Sequence, residues 1–264
     1  MPDRLEILSR LPQRRSKPNL LFVHGAYAGA WCWDVNFLPY FASRGYPSHA
    51  LSLSGHGASA GAGELHQFRI ANYVQDLAET VERLGQDTVL IGHSMGGFVV
   101  QKYLETRIAR GAVLLASVPP EGLTLSALRL AFADPLLYQQ IMVVQNFGEW
   151  SSAPDVLRRA LFSDDAEHHM IEPYFSRFQA ESQRAILDMT WLDLPLCSRI
   201  KGTPMLVAGA RRDAFFPPDM ATRTAEAYGV QPLLLDDLAH AVMLEPRWQR
   251  AADSILDWLK SVGA

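Results

Sequence analysis

Short apolar runs alternate with amphipathic stretches over the first 119 residues of the chain. The runs are "NLLFVHG" (19–25), "SHALSL" (48–53), "TVLIGHS" (88–94) and "GAVLLASV" (111–118), and two more follow late, "PMLVAG" (204–209) and "PLLLDD" (232–237). None shows the strict alternation of a half-exposed strand. They read as strands covered on both faces, as in a parallel sheet. Residues 70–84, "IANYVQDLAETVERL", instead place Ile70, Tyr73, Val74, Leu77, Val81 and Leu84 on one helical stripe, with Gly85 as the stop. Strand and helix in alternation predict an α/β fold.

The rhythm breaks between Pro119 and Gly202. No strand-like run occurs there, and helix-length segments are separated by Pro135, Pro154, Pro173 and Pro195. This predicts a helical insertion at 120–202 in a core made of 1–119 and 203–264. Asp164 and Glu167 are spaced as a capping pair, and "ESQRAILDMTWL" sets Ile186, Met189 and Trp191 or Leu192 near one face. Met142, Phe147, Trp150, Phe162, Met170, Phe175, Phe178 and Trp191 are too many large apolar side chains for short helices to bury alone. Some must face the sheet, and a few are expected to line a pocket between the two parts. The chain closes on "EPRWQRAADSILDWLKSVG", with Pro246 in a first helical turn, Trp248, Ala252, Ile255, Leu256 and Leu259 as a stripe, and Gly263 as the stop.

Composition narrows the function. With 264 residues and 48% hydrophobic content, the chain can bury one large core. A net charge of −4, with only the short "RRSK" at 14–17 as a basic run, gives no footprint for nucleic acid. Two cysteines, Cys32 and Cys197, cannot form a disulfide framework. The N-terminal residues carry acids and arginines where a secretory signal needs an apolar centre, and no apolar run reaches the ~18 residues of a membrane span. The expectation is a cytoplasmic protein, monomer or homodimer, without a membrane span.

The chemistry concentrates in "VLIGHSMGGFVV" (89–100), where Gly92-His93-Ser94-Met95-Gly96 fits the G-x-S-x-G elbow. The pattern alone is common. Here a strand precedes it and a helix follows, and in that setting glycines allow the helix to fold back beside the strand while the serine oxygen is pushed outward. A serine hydroxyl needs a base, and the base needs an orienting acid. Of the three histidines after Ser94, His168 and His169 fall in the insertion and point about 100° apart on a helix. His240, after "PLLLDDLA", is where the base is expected. Asp213, in the loop after "PMLVAG", is the expected acid, with Asp236, Asp237 and Glu121 as alternatives. An oxyanion would be met by the backbone N–H of Met95, after the serine, and by that of Ala26 in "FVHGAYAGAW". His24 is expected to brace that loop, and His56, in the turn "SGHGAS", to be structural.

With these pieces assembled, the chain resembles the α/β-hydrolase superfamily over nearly its whole length. "HGAYAGAWCW", "GHSMGG", "GARRDAFFPP" and "LAHAVMLEP" look closest to small cap-bearing carboxylesterases, in the branch that holds plant methyl esterases and hydroxynitrile lyases. The resemblance implies a mostly parallel eight-stranded sheet flanked by helices, a helical cap formed by the insertion, and hydrolysis through an acyl-enzyme. Lyase members of the branch carry a lysine after the histidine and a threonine in place of the glycine of "HG". This chain has Ala241 and Gly25, which disfavours lyase chemistry.

The expected activity is thus that of a serine esterase on a small-molecule ester, possible thioesters and lactones included, with no cofactor and no metal. Carbon–carbon bond hydrolysis and cofactor-free perhydrolysis use the same triad and stand as alternatives. So does a ligand receptor built on a hydrolase fold.

Overall fold

The computed structural model describes residues 4–14, 17–147 and 153–264. Arg15 and Ser16 of the basic run, Trp150 and the side chain of Phe147 lie outside the described part. The six apolar runs form strands β2 (Asn19–Val23), β3 (Ser48–Leu51), β4 (Thr88–His93), β5 (Gly111–Leu115), β6 (Met205–Ala210) and β7 (Pro232–Leu235). They pair in parallel in the order β3-β2-β4-β5-β6-β7. A further strand, β1 (Ile7–Arg10), pairs antiparallel with the outer side of β3.

The sheet therefore has seven strands among the described residues rather than the eight implied by resemblance. Residues just ahead of β1 add no strand beside it. Arg4 reaches Ser54, Asp76 and Glu79, and the Glu6 carboxylate accepts from the Ser52 hydroxyl, which ties this segment to the loop after β3 and to α3 (Ile70–Leu84). The strand β1 left no trace in the apolar pattern because it is an edge strand of four residues whose last two are exposed.

Side chains alternate across each strand and divide the core into two layers. Leu20 and Phe22 of β2 face a cluster with Trp33, Phe37, Phe41 and Ile255, supplied by α1 (Trp31–Asp34), α2 (Phe37–Ser43) and the last helix (Gln249–Ser261). Leu21 and Val23 face Tyr73 and Leu77 of α3 and Phe98 of α4 (Met95–Leu104). Helix α3 has the limits its periodicity predicts, and Gly85 stops it at φ +100°. The last helix begins at Gln249, so Pro246 lies in the turns ahead of it rather than in its first turn.

Between β5 and β6 the described residues form no strand. They fold into α5 (Thr124–Ala133), α6 (Pro135–Phe147), α7 (Pro154–Leu161), α8 (His168–Phe175) and α9 (Gln183–Leu187). Pro135 and Pro154 open helices, as their fixed φ favours, whereas Pro173 sits inside α8 rather than between helices. Asp164 and Glu167 do not act as a capping pair: α8 starts only at His168, and its N-cap Glu167 makes no side-chain cap bond. Phe162, Phe175 and Phe178 are buried in the same cluster as Phe22. Trp191 and Leu192 do not share the buried face of Met189. Helix α9 widens into a π turn over Asp188–Leu192, and both side chains turn outward, 69% and 60% exposed.

Both cysteines are free. No helix among the described residues is long and apolar enough to cross a membrane. Phe37 is fully buried against Phe22, Trp33, Phe41 and Trp248. Phe37→Ala is expected to destabilise the fold by about 3–5 kcal/mol, read from the midpoint of equilibrium urea unfolding.

Candidate active site

Strand β4 delivers Ser94 into a sharp turn, and α4 starts at the next residue. The serine backbone has φ 51° and ψ −119°, a conformation L-residues rarely adopt and one that must be held from outside. Backbone packing holds it. A Cβ at Gly92 would lie 2.4 Å from the Gly96 carbonyl oxygen, and one at Gly96 would lie 2.3 Å from that of Val23. The helix can leave the sheet at this angle only because both positions lack a side chain.

The elbow aims the Ser94 hydroxyl at a ring brought from β7. The Ser94 Oγ–H faces His240 Nε2 at 3.1 Å, and His240 Nδ1–H donates to Asp213 Oδ2 at 2.8 Å. The second oxygen of Asp213 accepts from the backbone N–H groups of Phe215 and Phe216 at 2.8 and 3.0 Å. All three residues are buried, Ser94 the least so at 8% exposure. Asp213 comes from the loop after β6, facing the histidine loop, so the carboxylate meets the ring at the nitrogen away from the serine.

The other candidates lie elsewhere. Glu121 is exposed and paired with Arg223, Asp236 pairs with Arg211, and Asp237 pairs with Arg212, Arg247 and Arg250. His168 and His169 are exposed in the insertion, the latter beside Glu167. Among the described residues, no group of His, Cys, Asp and Glu side chains could hold a metal ion.

Ser94 and His240 open onto a cavity of about 170 Å³ whose wall is overwhelmingly apolar. Leu130, Ile141, Leu157 and Phe178 of the insertion form one side, and Phe215 and Met243 are among the core residues of the other. Ala26 and Met95 also line it, next to the serine. Among the described residues, no Lys, Arg, Asp or Glu side chain lines the cavity.

A family model described as the alpha/beta hydrolase family matches residues 20–253. This chain belongs to the alpha/beta hydrolase family. Methylesterase 10 of Arabidopsis thaliana is 31% identical over 113 residues, 40% of each chain. A pyrethroid hydrolase of Sphingobium wenxiniae is 33% identical over 79 residues, 30% of this chain and 28% of that one. The matched stretches thus span less than half of either relative. A thermophilic esterase from Thermogutta terrifontis superposes with a TM-score of 0.74 at 19% identity, over 98% of this chain and 94% of that one, and shares the fold.

In this alpha/beta hydrolase several buried groups around Ser94, His240 and Asp213 leave no clear signal in the sequence. His93, the residue before the serine, donates from Nε2 to the backbone carbonyl of His240 at 2.8 Å. Burial, and then the neighbouring His240 ring, hold its pKa well below the ordinary histidine value, so the ring is neutral. Glu245 grips the insertion: its carboxylate accepts from the Ser163 N–H at 2.6 Å and from the Ser163 hydroxyl at 2.8 Å. The Ala241 N–H donates to the Leu161 carbonyl at 2.8 Å, so the histidine loop and the end of α7 are tied together. The only available signal for His93 was its place beside the serine. For Glu245 there was none.

His24 does brace the loop after β2. Its Nδ1–H donates to the Gly25 carbonyl at 2.8 Å, and its Nε2 accepts from the Leu53 N–H at 3.1 Å. Burial, then the nearby His56, push its pKa down to about 3. Between about pH 6.5 and 3 the unfolded chain therefore binds a proton at this residue that the native state refuses, and stability falls as pH falls through that window. The melting temperature is expected to drop across this range in the wild type, and with a shallower slope in His24→Asn, which keeps a donor near Nδ1 but has no group that titrates. Parallel slopes in the two proteins would contradict the assignment.

Proposed function

We propose that this protein is a serine carboxylesterase acting on small to medium, uncharged, hydrophobic esters. The observation that carries the reading is the continuous hydrogen-bond chain from Ser94 through His240 to Asp213, opening onto an apolar cavity. Ser94 attacks the ester carbonyl while His240 takes its proton, and His240 returns that proton to the departing alcohol. Asp213 holds the ring in the tautomer with hydrogen on Nδ1 and stabilises the imidazolium. Water activated by the same ring then hydrolyses the acyl-enzyme. The backbone N–H groups of Ala26 and Met95 receive the oxyanion, and the start of α4 adds the favourable end of a helix dipole.

In this reading residues 120–202 act as a cap over a core of 1–119 and 203–264, and the cap supplies much of the substrate-facing wall. A cavity wall with no Lys, Arg, Asp or Glu side chain among the described residues favours neutral acyl and alcohol groups over anionic ones. The relatives named a methylesterase and a pyrethroid hydrolase agree with ester substrates that have apolar parts. No step calls for a metal or cofactor.

A fluorophosphonate probe is expected to label Ser94 stoichiometrically, as peptide mapping would show, and an aryl ester series of increasing acyl length should locate the optimum of the cavity. Ser94→Ala should lower turnover by on the order of 10⁶-fold, because the triad acts as a unit, while a substrate analogue still binds. Hydrolysis within tenfold of wild type by a pure variant would refute the reading. Faster cleavage of a dienol carbon–carbon bond or faster peracid formation than ester turnover would reassign the triad to those reactions.

A further inference from the structure

The loop that carries Ala26 is held by groups from outside it. The Gly25 carbonyl and the Ala26 N–H belong to one planar peptide unit, so the bond from His24 to that carbonyl sets the direction of the N–H. The next unit joins Ala26 to Tyr27. Tyr27 has φ +67°, a left-handed conformation unusual for a tyrosine. Both of its backbone groups are taken by one segment of the insertion: its N–H donates to Glu181 Oε2 at 3.3 Å, and its carbonyl accepts from the Gln179 N–H at 2.9 Å.

Glu181 is fully buried, and it is not alone. His56 Nε2–H donates to Oε2 at 3.0 Å, while Oε1 accepts from the Tyr73 hydroxyl at 2.9 Å and from the Ser182 N–H at 2.7 Å. The other ring nitrogen of His56 faces the Ser54 carbonyl at 3.2 Å, so both nitrogens meet acceptors and the ring is satisfied as an imidazolium. Burial opposes charge on His56, but the Glu181 carboxylate and these hydrogen bonds outweigh it and raise its pKa. The groups facing the pair are the neutral ring of His24, 5.0 Å from that of His56, and the phenol of Tyr73. Nothing in ester hydrolysis itself consumes this pair, and a buried ion pair is weak evidence for stability alone.

We propose that Glu181, paired with His56, is a positioning residue for the oxyanion loop. It fixes the peptide plane after Ala26 as His24 fixes the plane before it, so that the Ala26 N–H points at the site where the oxyanion forms. Four donors converge on its two oxygens, two on each, a set that only a carboxylate can accept. Because Glu181 belongs to the insertion, the seating of that segment and the readiness of the oxyanion donor are one event. This rests on the esterase reading above.

The test compares Glu181→Gln and Glu181→Asp with Asp188→Asn, whose carboxylate bonds Arg69 and the Ile70 N–H at another contact between insertion and core. Active sites are first titrated with a fluorophosphonate, so that kcat refers to reactive Ser94. Glutamine presents an amide NH₂ to one pair of donors, and aspartate withdraws the carboxylate from Tyr27 while keeping its charge. Per titrated site, kcat on an aryl ester is expected to fall about 10- to 100-fold in either Glu181 variant, part of the ~10²–10³ that loss of a whole oxyanion donor costs, with KM within about threefold of wild type. Asp188→Asn is expected to lower the melting temperature with kcat per site unchanged. A Glu181 variant that melts earlier yet keeps wild-type kcat per site overturns the proposal, and if glutamine does not fold, the aspartate variant decides. Failure of wild-type protein to label or hydrolyse would instead refute the esterase reading.

Discussion

Everything in the site depends on how closely α4 packs against the sheet at the end of β4. The serine can stand in a disfavoured backbone conformation because Gly92, Gly96 and the carbonyls of Val23 and His24 fill the space in which it would relax. That packing fixes the hydroxyl, the start of the helix and the end of β2 relative to one another. Ala26 and Met95 therefore line the same cavity as Ser94 as a consequence of one backbone contact, before any side chain is considered. In the esterase reading proposed above, preorganisation of this kind would let dipoles act on a developing charge without first being rearranged.

Around this centre the molecule uses buried polar ties rather than surface ion pairs to join the helical insertion to the sheet. Glu245 holds Ser163, and Glu181 holds Tyr27 and His56. Asp188, 1% exposed, anchors the start of α3 through Arg69 and Ile70. Exposed pairs such as Arg129 with Asp219 contribute little by comparison.

The sequence made the sheet and the chemistry legible to different depths. Strands covered on both faces leave unbroken apolar runs, and an amphipathic helix such as α3 leaves a stripe with a glycine stop, so these were readable within a few residues. Ser94, Asp213 and His240 stood out because each follows a strand-like run and the elbow prescribes their order. Edge strand β1 was invisible for want of burial, and the π turn after α9 because an extra residue in a turn does not alter composition. Glu181 and His56 are 125 positions apart and meet only through tertiary packing, where a lone acid in an amphipathic segment gives no warning.

Gly25 carries a consequence for the space around the elbow. A Cβ there would lie 2.7 Å from Nδ1 of His93 and 3.0 Å from the Cβ of Ser94. Any side chain at this point would therefore displace the ring that donates to the His240 carbonyl. In this molecule a side chain at position 25 and the present ring at position 93 compete for the same space, so enlarging one requires the other to move or shrink.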